Sequence, residues 1–242
     1  MDRNNNIVER RILKIQPFIE CPVIRRLNRF VVEVEISGRS RRAHINNTGR
    51  LHEFMFEGKR AYCFPSSHPG KTDCRLFAFE DSGFGALVDT QLQMKAFETA
   101  LRTGLVPWLK GCILHKRNAR LKGSLIDYHL VCSGKTVLCE IKSAVLREGG
   151  FAMYPDCPST RGQRHLRELT DWVRGGGRAA ILFMAALAHA AAFKPNKDAD
   201  PLIYRHLKTA LKAGVQIRAM GLYFNPADGW VYLYNPDLRV EI

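Results

Sequence analysis

The chain has 242 residues, enough for one large domain or two small ones. Its 37 lysines and arginines outnumber 23 aspartates and glutamates, which gives a formal charge of +14, and 46% of its residues are hydrophobic. This composition supports an ordinary core and excludes an acidic or charge-neutral protein. The positive excess indicates a polyanionic partner, most simply nucleic acid, with general solubility as the plainer alternative.

The sequence indicates a cytoplasmic protein without a membrane anchor. No stretch is long and apolar enough to cross a membrane, since the alanine-rich run over residues 179–193 is interrupted by His189. The first residues lack the apolar region of a secretory signal. Seven cysteines without a Cys-x-x-Cys pair favour reduced thiols over a zinc site or a disulfide framework, although Cys132 and Cys139 could face each other across a hairpin.

Short β-type runs follow a polar lead-in over residues 1–12. Residues 29–36 alternate between apolar and polar side chains, and further runs at residues 42–45, 60–64 and 74–79 are separated by Gly, Pro and Ser. About five short strands predict a small barrel of the oligonucleotide-binding (OB) type, and other small sandwiches fit the pattern nearly as well.

Basic, aromatic and amide side chains recur along this first segment. Arginines between aromatic residues are typical of a groove for single-stranded nucleic acid, in which phosphates pair with arginine and bases stack on rings. A charged outer barrel face accounts for any one of these residues more simply. The predicted nucleic-acid contacts of this segment are Arg25, Arg26, Arg29, His44, Asn47 and Arg50.

A helix and a basic segment follow. Apolar residues from position 90 onward fall at helical spacing until Gly104 stops the pattern. Glu98 lies on this helix, either as a further metal ligand or as a solvated glutamate. Residues 110–122 are strongly basic, which predicts a strand or arm along a nucleic-acid backbone.

The next stretch predicts a β-hairpin. Residues 126–131 and 137–142 are short runs rich in β-branched side chains, and a Ser-Gly-Lys turn lies between them. Because side chains alternate along a strand, Glu140 and Lys142 point to the same face. The antiparallel return brings Asp127 beside them. The hairpin therefore predicts two carboxylates and an ammonium at one edge.

Such a cluster suits phosphodiester hydrolysis. Asp127 and Glu140 would supply hard oxygen ligands for Mg²⁺ or Mn²⁺, and the metal would lower the pKa of a bound water. Lys142 would orient or deprotonate the attacking water or hold the phosphorane oxygens. The pattern Asp…Glu-x-Lys resembles the PD-(D/E)xK nuclease superfamily. A solvated cross-strand Glu–Lys face accounts for the same residues equally well.

The C-terminal part alternates helices and strands. An irregular loop over residues 149–159 precedes a helix over residues 160–173, which begins with a Ser-Thr cap. Arg161 and Arg164 share a face of this helix and His165 adjoins it, which predicts phosphate binding, with a basic solvated face as the alternative. Further strands are predicted at residues 178–185, 215–224 and 229–233, and a further helix at residues 201–213.

Several of these stretches together resemble one known family. They occur in the same order and at compatible spacing, at residues 43–50, 88–90, 127 with 140–143, 154–156 and 161–169. From about residue 12 to residue 235 the chain resembles the sugar fermentation stimulation protein A (SfsA) family. Four positions differ from the family pattern, namely Ile45 and Asn46 in place of Cys-Pro, Lys116 in place of glutamate and Leu125 in place of arginine.

The resemblance implies a mixed α/β fold with two domains. Residues 1–87 would form an OB-like nucleic-acid-binding barrel, and residues 88–242 a PD-(D/E)xK, restriction-endonuclease-like α/β domain. It also implies DNA binding, with family members described both as regulators of sugar-utilisation genes and as nucleases. By position, Asp127, Glu140 and Lys142 match the nuclease-like core. Glu98 matches a family glutamate on the first helix, and the residues at 161 and 165 match its basic helix.

We therefore predict a metal-dependent nuclease, with DNA preferred over RNA as partner and Mg²⁺ or Mn²⁺ as cofactor. Its catalytic residues would be Asp127, Glu140, Lys142 and Glu98, with the metal on the first two. The second hypothesis is a non-catalytic DNA-binding regulator of sugar-utilisation genes, and carbohydrate binding has no support in the residues. A homodimer is left open, because many nucleases of the superfamily pair to cut both strands.

Overall fold

The computed structural model describes residues 9–65 and 70–242. Within them, sixteen strands and three α-helices follow one another, with a 3-10 turn at Pro107–Leu109. The strands are β1 (Arg10–Lys14), β2 (Ile19–Asn28), β3 (Val31–Ile36), β4 (Arg39–His44), β5 (Arg60–Pro65), β6 (Cys74–Asp81), β7 (Phe84–Leu87), β8 (Cys112–Leu121), β9 (Ser124–Cys132), β10 (Lys135–Ala144), β11 (Leu146–Glu148), β12 (Phe151–Tyr154), β13 (Ala179–Ala185), β14 (Ala192–Pro195), β15 (Gln216–Asn225) and β16 (Trp230–Leu238). The helices are α1 (Thr90–Arg102), α2 (Thr160–Arg174) and α3 (Pro201–Ala213).

The first part of the chain forms the predicted OB-like barrel. Strands β2 to β6 pair in the order β4-β3-β2-β5-β6, and a parallel pairing of β4 with β6 closes the ring. Val32 and Val34 are fully buried inside it, while Glu33 and Glu35, which alternate with them along β3, lie outside. The apolar alternation read from the sequence is thus the inward face of the barrel.

The second part is an α/β unit with helices on both faces of its sheet. Strands β10, β13 and β15 are parallel neighbours, and β9 and β8 continue the sheet antiparallel to its end. Tyr128 is paired with Cys139 and contacts α1 through Glu98. Glu140, the next residue, points to the opposite face and contacts α2 through His165. The mixed α/β architecture expected from the sequence is confirmed.

Each helix begins at a side chain that caps its first N–H groups. Asp89 caps α1, Ser159 caps α2 and Asp200 caps α3, where Pro201 occupies the first turn. Helix α3 ends at Gly214, whose φ of 97° lies in the left-handed region that favours glycine. The helices predicted over residues 160–173 and 201–213 are therefore confirmed, because both carried their start signals in the sequence.

The sheet is continuous between the barrel and the α/β unit. Strand β7 pairs with β6 on one side and with β15 on the other. Arg147 also joins the two parts, since its guanidinium donates to Asp81 at 2.6 Å and to the carbonyl of Ala188 at 2.7 Å. The division of the chain after residue 87 remains a prediction, and the strand order crosses that point without a break.

Some predicted elements were wrong. The segment 149–159, predicted as an irregular loop, contains β12, which pairs with β11 and β14 in a separate three-stranded sheet. The predicted polar lead-in includes β1, which pairs with β16 over 200 residues away along the chain, and residues 1–8 lie outside the described part. These strands are short, and β14 and β16, with which they pair, lie far away along the chain, so local patterns did not indicate them.

The cysteine prediction was also wrong. Cys112 and Cys132 are opposite residues of β8 and β9, with Cα atoms 4.1 Å apart, and form a disulfide. Cys139 lies opposite Tyr128 instead of Cys132 and is buried. The pairing of β8 with β9, which the sequence pattern did not show, brings the bonded thiols together.

Across residues 9–65 and 70–242, none of the helices combines the length and the apolar character that a membrane span requires.

Candidate active site

The two strands of the hairpin separate at the carboxylates. The ladder between β9 and β10 ends at the pair of Tyr128 and Cys139. Beyond it, the N–H of Ile141 donates to Asp127 Oδ2 at 2.7 Å, and the N–H of Asp127 donates to Glu140 Oε2 at 3.3 Å. Side-chain oxygens thus replace the missing ladder bonds, so that the backbone stays satisfied where the sheet opens.

Glu140 is the centre of a buried network. Lys142 Nζ donates to Glu140 Oε1 at 2.6 Å, and His165 Nδ1 lies 2.5 Å from the same oxygen. Arg161 Nε donates to the other ring nitrogen of His165 at 3.4 Å, which favours the tautomer with its proton on Nδ1. The structure therefore brings together five of the predicted site residues, including Asp127.

Burial and neighbouring charges act in opposite directions on these groups. Burial, followed by the negative charge of Glu140, raises the pKa of Asp127 to about 6. Burial also disfavours the charged form of Glu140, but the charge of Lys142 and the hydrogen bond from His165 hold its pKa below the ordinary value. Burial disfavours the ammonium of Lys142, and the charge of Glu140 outweighs this and raises its pKa. Glu140 and Lys142 thus form an ion pair beside a carboxyl that is difficult to ionise.

A cavity of about 300 Å³, which we call the carboxylate pocket, is lined by Asp127, Glu140 and Lys142. The barrel also contributes to its wall through Asn47, whose side chain donates to the carbonyl of Val88 at 3.2 Å and to a serine hydroxyl on β10 at 3.3 Å. The pocket therefore lies where the barrel, the split hairpin and the start of α2 meet.

Gln93 on α1 lines the same pocket, and sequence reasoning missed it. Its Nε2 donates to the carbonyl of Leu87 at 2.7 Å and to Ser143 Oγ at 2.8 Å. The carbonyl of Leu87 can only accept, so this amide orientation is required. Among the residues that the structure describes, Gln93 Oε1 is buried without a hydrogen-bond partner. A polar residue on the apolar face of a predicted helix was the signal that could have identified it.

A second cavity of about 410 Å³ adjoins the first, and we call it the junction cavity. The barrel contributes Arg29 and Leu51 to its wall, and the α/β unit contributes Met153, Cys157 and Arg161. Arg161 lines both cavities. Of the predicted nucleic-acid contacts, Arg29, Asn47, Arg161 and His165 thus lie at or beside the candidate site.

Glu98 is not brought to the carboxylate pocket. It lies one turn beyond Met94 on α1, above the opposite face of the hairpin, where it accepts a hydrogen bond from Tyr128 at 2.7 Å and forms an ion pair with Arg117. It lines a different surface cavity with Arg117. The prediction that Glu98 reaches the cluster does not agree with this position, because Glu98 lies on the other face of the hairpin from the carboxylate cluster.

Two arginines of the barrel are occupied by contacts within the protein. Arg25 is exposed and ion-paired with Glu33 at 2.7 Å. The guanidinium of Arg26 donates to four backbone carbonyls, at 2.7 to 3.1 Å, and so braces two loops. Four of the five N–H donors of its guanidinium are thus engaged within the protein, so the structure places Arg26 in a supporting position.

The other predicted contacts are dispersed. His44 ends β4 and pairs with Val31 and Arg75, outside both cavities, and Arg50 is exposed beyond the walls of both. Arg164 lies one turn from Arg161, where its Nε donates to Ser124 Oγ at 3.2 Å and it lines a basic groove with Arg167 and Arg174.

The donor set of the carboxylate pocket limits the metals that it could hold. Within the described ranges, no group of three or more His, Cys, Asp or Glu side chains is arranged to hold a metal ion. Asp127 and Glu140 would therefore act as a pair of hard oxygen donors, which suits Mg²⁺ or Mn²⁺ with bound waters better than Zn²⁺. The unpaired Oε1 of Gln93 is a further acceptor, to which such a water could donate a hydrogen bond.

Comparisons with known proteins agree in covering nearly the whole chain. Residues 24–88 match the model of the SfsA N-terminal OB domain, and residues 91–228 match that of the sugar fermentation stimulation protein RE domain. Two relatives are called sugar fermentation stimulation protein homolog. The one from Pyrococcus furiosus is 49% identical to this chain and the one from Archaeoglobus fulgidus is 43% identical. Each match covers 96% of this chain and 100% of the relative.

A solved structure gives the same assignment. The structure of Pyrococcus furiosus SfsA in complex with Ca²⁺ is 48% identical to this chain and superposes with a TM-score of 0.93, over 96% of this chain and 100% of that one. The fold, the two family models and the similar relatives thus all indicate the same family. The chain belongs to the SfsA family.

Proposed function

We propose that this protein is a metal-dependent nuclease that hydrolyses phosphodiester bonds in nucleic acid, with DNA as the preferred substrate. The observation that carries the proposal is the convergence of Asp127, Glu140 and Lys142 at the point where the hairpin opens into a pocket. Two carboxylates and an ammonium in one partly desolvated site match the needs of metal-assisted attack on a phosphodiester.

Asp127 and Glu140 would hold Mg²⁺ or Mn²⁺. The raised pKa of Asp127, near 6, reflects burial and two carboxylates that repel each other, and a divalent cation between them would relieve that repulsion. When bound, such a metal lowers the pKa of a water and neutralises charge on the phosphate. The Ca²⁺ complex of Pyrococcus furiosus SfsA supports a hard-cation site in a relative of this fold.

The protein's own residues would prepare the site for charge development. Because the pKa of Lys142 is raised, it stays an ammonium at neutral pH and would orient a water or stabilise a phosphorane oxygen by charge, without acting as a base. His165 contacts Glu140, not the open part of the pocket, and fixes the orientation of that carboxylate.

The start of α2 and nearby arginines would bind the phosphate backbone. Arg161 lines the pocket itself. The first turn of α2 contains no acidic residue of its own, and the carboxylate of Asp200 binds the N–H of Ser159 just before it. Helix N-termini attract phosphate because their first N–H groups have no partner within the helix. Arg164 and Arg167 continue the basic surface along the same helix.

The second candidate is a DNA-binding regulator without catalysis. One observation favours it: Glu140 already receives Lys142 and His165 on one oxygen, so that the cluster is satisfied internally without a cation. A regulator should bind DNA equally well in EDTA and in Mg²⁺ and leave the strand intact.

A cleavage assay separates the two candidates. We would incubate labelled single- and double-stranded DNA and RNA with wild type, Asp127→Asn and Lys142→Met in Mg²⁺, Mn²⁺ or EDTA. We expect metal-dependent cutting by wild type and a loss of about a hundredfold or more in each variant, because each removes a group that stabilises the reacting charge. Binding of the strand in EDTA should change by about twofold or less in Lys142→Met.

The matched control is Lys95→Met, which removes the same charge from an exposed position of α1. Circular dichroism and thermal unfolding would verify that all variants fold. If Lys142→Met cuts as fast as Lys95→Met, the cutting comes from another source, and the nuclease proposal is wrong.

A further inference from the structure

We propose that the junction cavity takes a single unstacked nucleotide of the substrate strand, so that the protein acts on single-stranded nucleic acid or on a frayed strand end. The inference rests on the proposed nuclease function and names its substrate class. It is carried by the position, the walls and the size of this cavity.

The junction cavity adjoins the carboxylate pocket. Residues Asn47, Thr48, Ser143, Ser159 and Arg161 line both. A strand whose phosphate lies at Asp127 and Glu140 would therefore have its neighbouring nucleotide within reach of the junction cavity. A cavity that adjoins a hydrolytic site and has no other assigned occupant is a natural position for the group next to the scissile bond.

The walls of the cavity contain both apolar and basic side chains. Leu146 is partly exposed there, and the buried residues Leu51 and Met153 add apolar atoms to the wall, which suits a base that leaves its stack. Arg29 and Arg161 supply positive charge, together with the start of α2. This combination of apolar wall and cations matches a nucleotide, and matches inorganic phosphate or an uncharged sugar less well.

One acidic residue, Asp156, lies in the wall of the cavity and is bound to the barrel loop. Asp156 Oδ2 accepts the N–H of Leu51 at 2.9 Å, and a Cβ atom on Gly49 would lie only 2.5 Å from that oxygen. The carboxylate is thus packed against the barrel loop, within range of the charge of Arg26. Asp156 therefore joins the barrel to the α/β unit, and the two arginines of the wall outnumber its single negative charge.

The size of the cavity favours one nucleotide over a base pair. Its volume of about 410 Å³ is at the small end of the range of about 300–1,000 Å³ that is typical of small-molecule sites. A duplex would have to release a base before its strand could enter, which costs unstacking and unpairing energy. Single strands and strand ends avoid that cost.

Cys157 provides a direct probe of occupancy. It lines the junction cavity and is partly exposed, whereas the free cysteines Cys21, Cys63, Cys74 and Cys139 are buried and Cys112 is bonded to Cys132. In the folded, unreduced protein a chromogenic disulfide reagent should therefore modify Cys157 selectively, and Cys157→Ser should remove the fast reaction.

The first experiment measures this reaction in EDTA, so that no cleavage is needed. Saturating deoxyadenosine 5′-monophosphate or thymidine 5′-monophosphate should slow the modification of Cys157 by about fivefold or more, because the nucleotide covers the thiol. Inorganic phosphate at the same concentration should slow it much less. No protection by either nucleotide would overturn the proposal, and so would equal protection by phosphate.

The second experiment tests the strand itself by fluorescence anisotropy in EDTA. Arg29→Ala should weaken the binding of a labelled single strand by about fivefold or more and that of a blunt duplex by less. Arg39→Ala is the matched control, because it removes the same charge from an exposed barrel position outside the cavity. Equal losses in the two variants, or equal losses for strand and duplex, would reject the nucleotide site.

The outcomes separate this inference from the function on which it rests. Protection of Cys157 by nucleotides without cleavage of any strand would retain the nucleotide site and reject the nuclease. Metal-dependent cleavage without protection would retain the nuclease and overturn the nucleotide site.

Discussion

Glu53, in the loop between β4 and β5, has an unusually buried carboxyl group. Its Oε1 is buried without a hydrogen-bond partner among the described residues. Burial raises its pKa to about 7, and the negative charges of Asp156 and Asp81 act in the same direction. Because its pKa is raised on folding, the folded protein binds its proton more tightly than the unfolded chain does.

The stability of the protein should therefore depend on pH through Glu53. The contribution of Glu53 to the free energy of unfolding is fully present below its pKa in the unfolded chain, near 4.5. It is lost as the pH rises through the folded-state pKa of about 7. We expect Glu53→Gln to be more stable than wild type at about pH 8 by about 1–2 kcal/mol, a value discounted because the side chain keeps contact with solvent. The two proteins should converge at about pH 5.

Denaturant unfolding at several pH values measures this difference. Glu57→Gln, an exposed neighbour in the same loop, is the control and should follow wild type. An unchanged pH profile in Glu53→Gln would contradict the assignment.

At the scale of elements, one carboxylate joins the starts of two helices. Asp200 accepts the N–H groups of Leu202 and Ile203 at 3.1 and 3.0 Å and so caps α3. It also accepts from the N–H of Ser159 at 2.9 Å and from Gln163 Nε2 at 3.0 Å, both at the start of α2. Since α2 carries His165 and Arg161, this cap helps to position the candidate site.

Asp200→Ala should therefore destabilise the protein more than the loss of an ordinary cap. We expect a cost of about 2–4 kcal/mol in the free energy of unfolding, because four donors at two helix ends lose their acceptor. Guanidinium unfolding would measure it, with Asp198→Ala, an exposed neighbour, as the control. A cost below about 1 kcal/mol would show that α2 and α3 are held by packing alone.

At the scale of the whole molecule, part of the positive charge lies beside the candidate site. Arg29 lines the junction cavity, and α2 with the turn after β8 forms a groove of Lys122, Arg164, Arg167 and Arg174, which also contains Glu168 and Asp171, the latter ion-paired with Lys122. The formal charge of +14 thus has a directed component along one surface.

Binding of a single strand should fall steeply with salt for this reason. If about six phosphates are neutralised, the logarithm of the affinity should fall with the logarithm of the salt concentration with a slope of about −4. Arg167→Ala should reduce that slope by about 0.7, while Arg39→Ala should leave it unchanged. Anisotropy titrations between about 50 and 200 mM KCl test this, and a slope near zero would contradict nucleic-acid binding by this surface.

Local sequence patterns indicated the elements and the centre of the site. The start of α3 and the cap of α2 were readable because capping residues and apolar spacing lie within a few positions of each other. The convergence of Asp127 with Glu140 and Lys142 followed from strand alternation and the short turn of one hairpin. The family resemblance added the order of the barrel and the α/β unit, which the models and relatives confirm.

Only the tertiary structure decided which distant groups meet at that centre. It brought His165 to Glu140 and Gln93 to the carboxylate pocket, kept Glu98 on the other face, occupied Arg26 with backbone carbonyls and joined Cys112 to Cys132. Charge and periodicity act over a few residues along the chain and so are visible in its sequence. Contacts between residues far apart in the chain depend on how β-strands pair and how helices pack, which no local pattern determines.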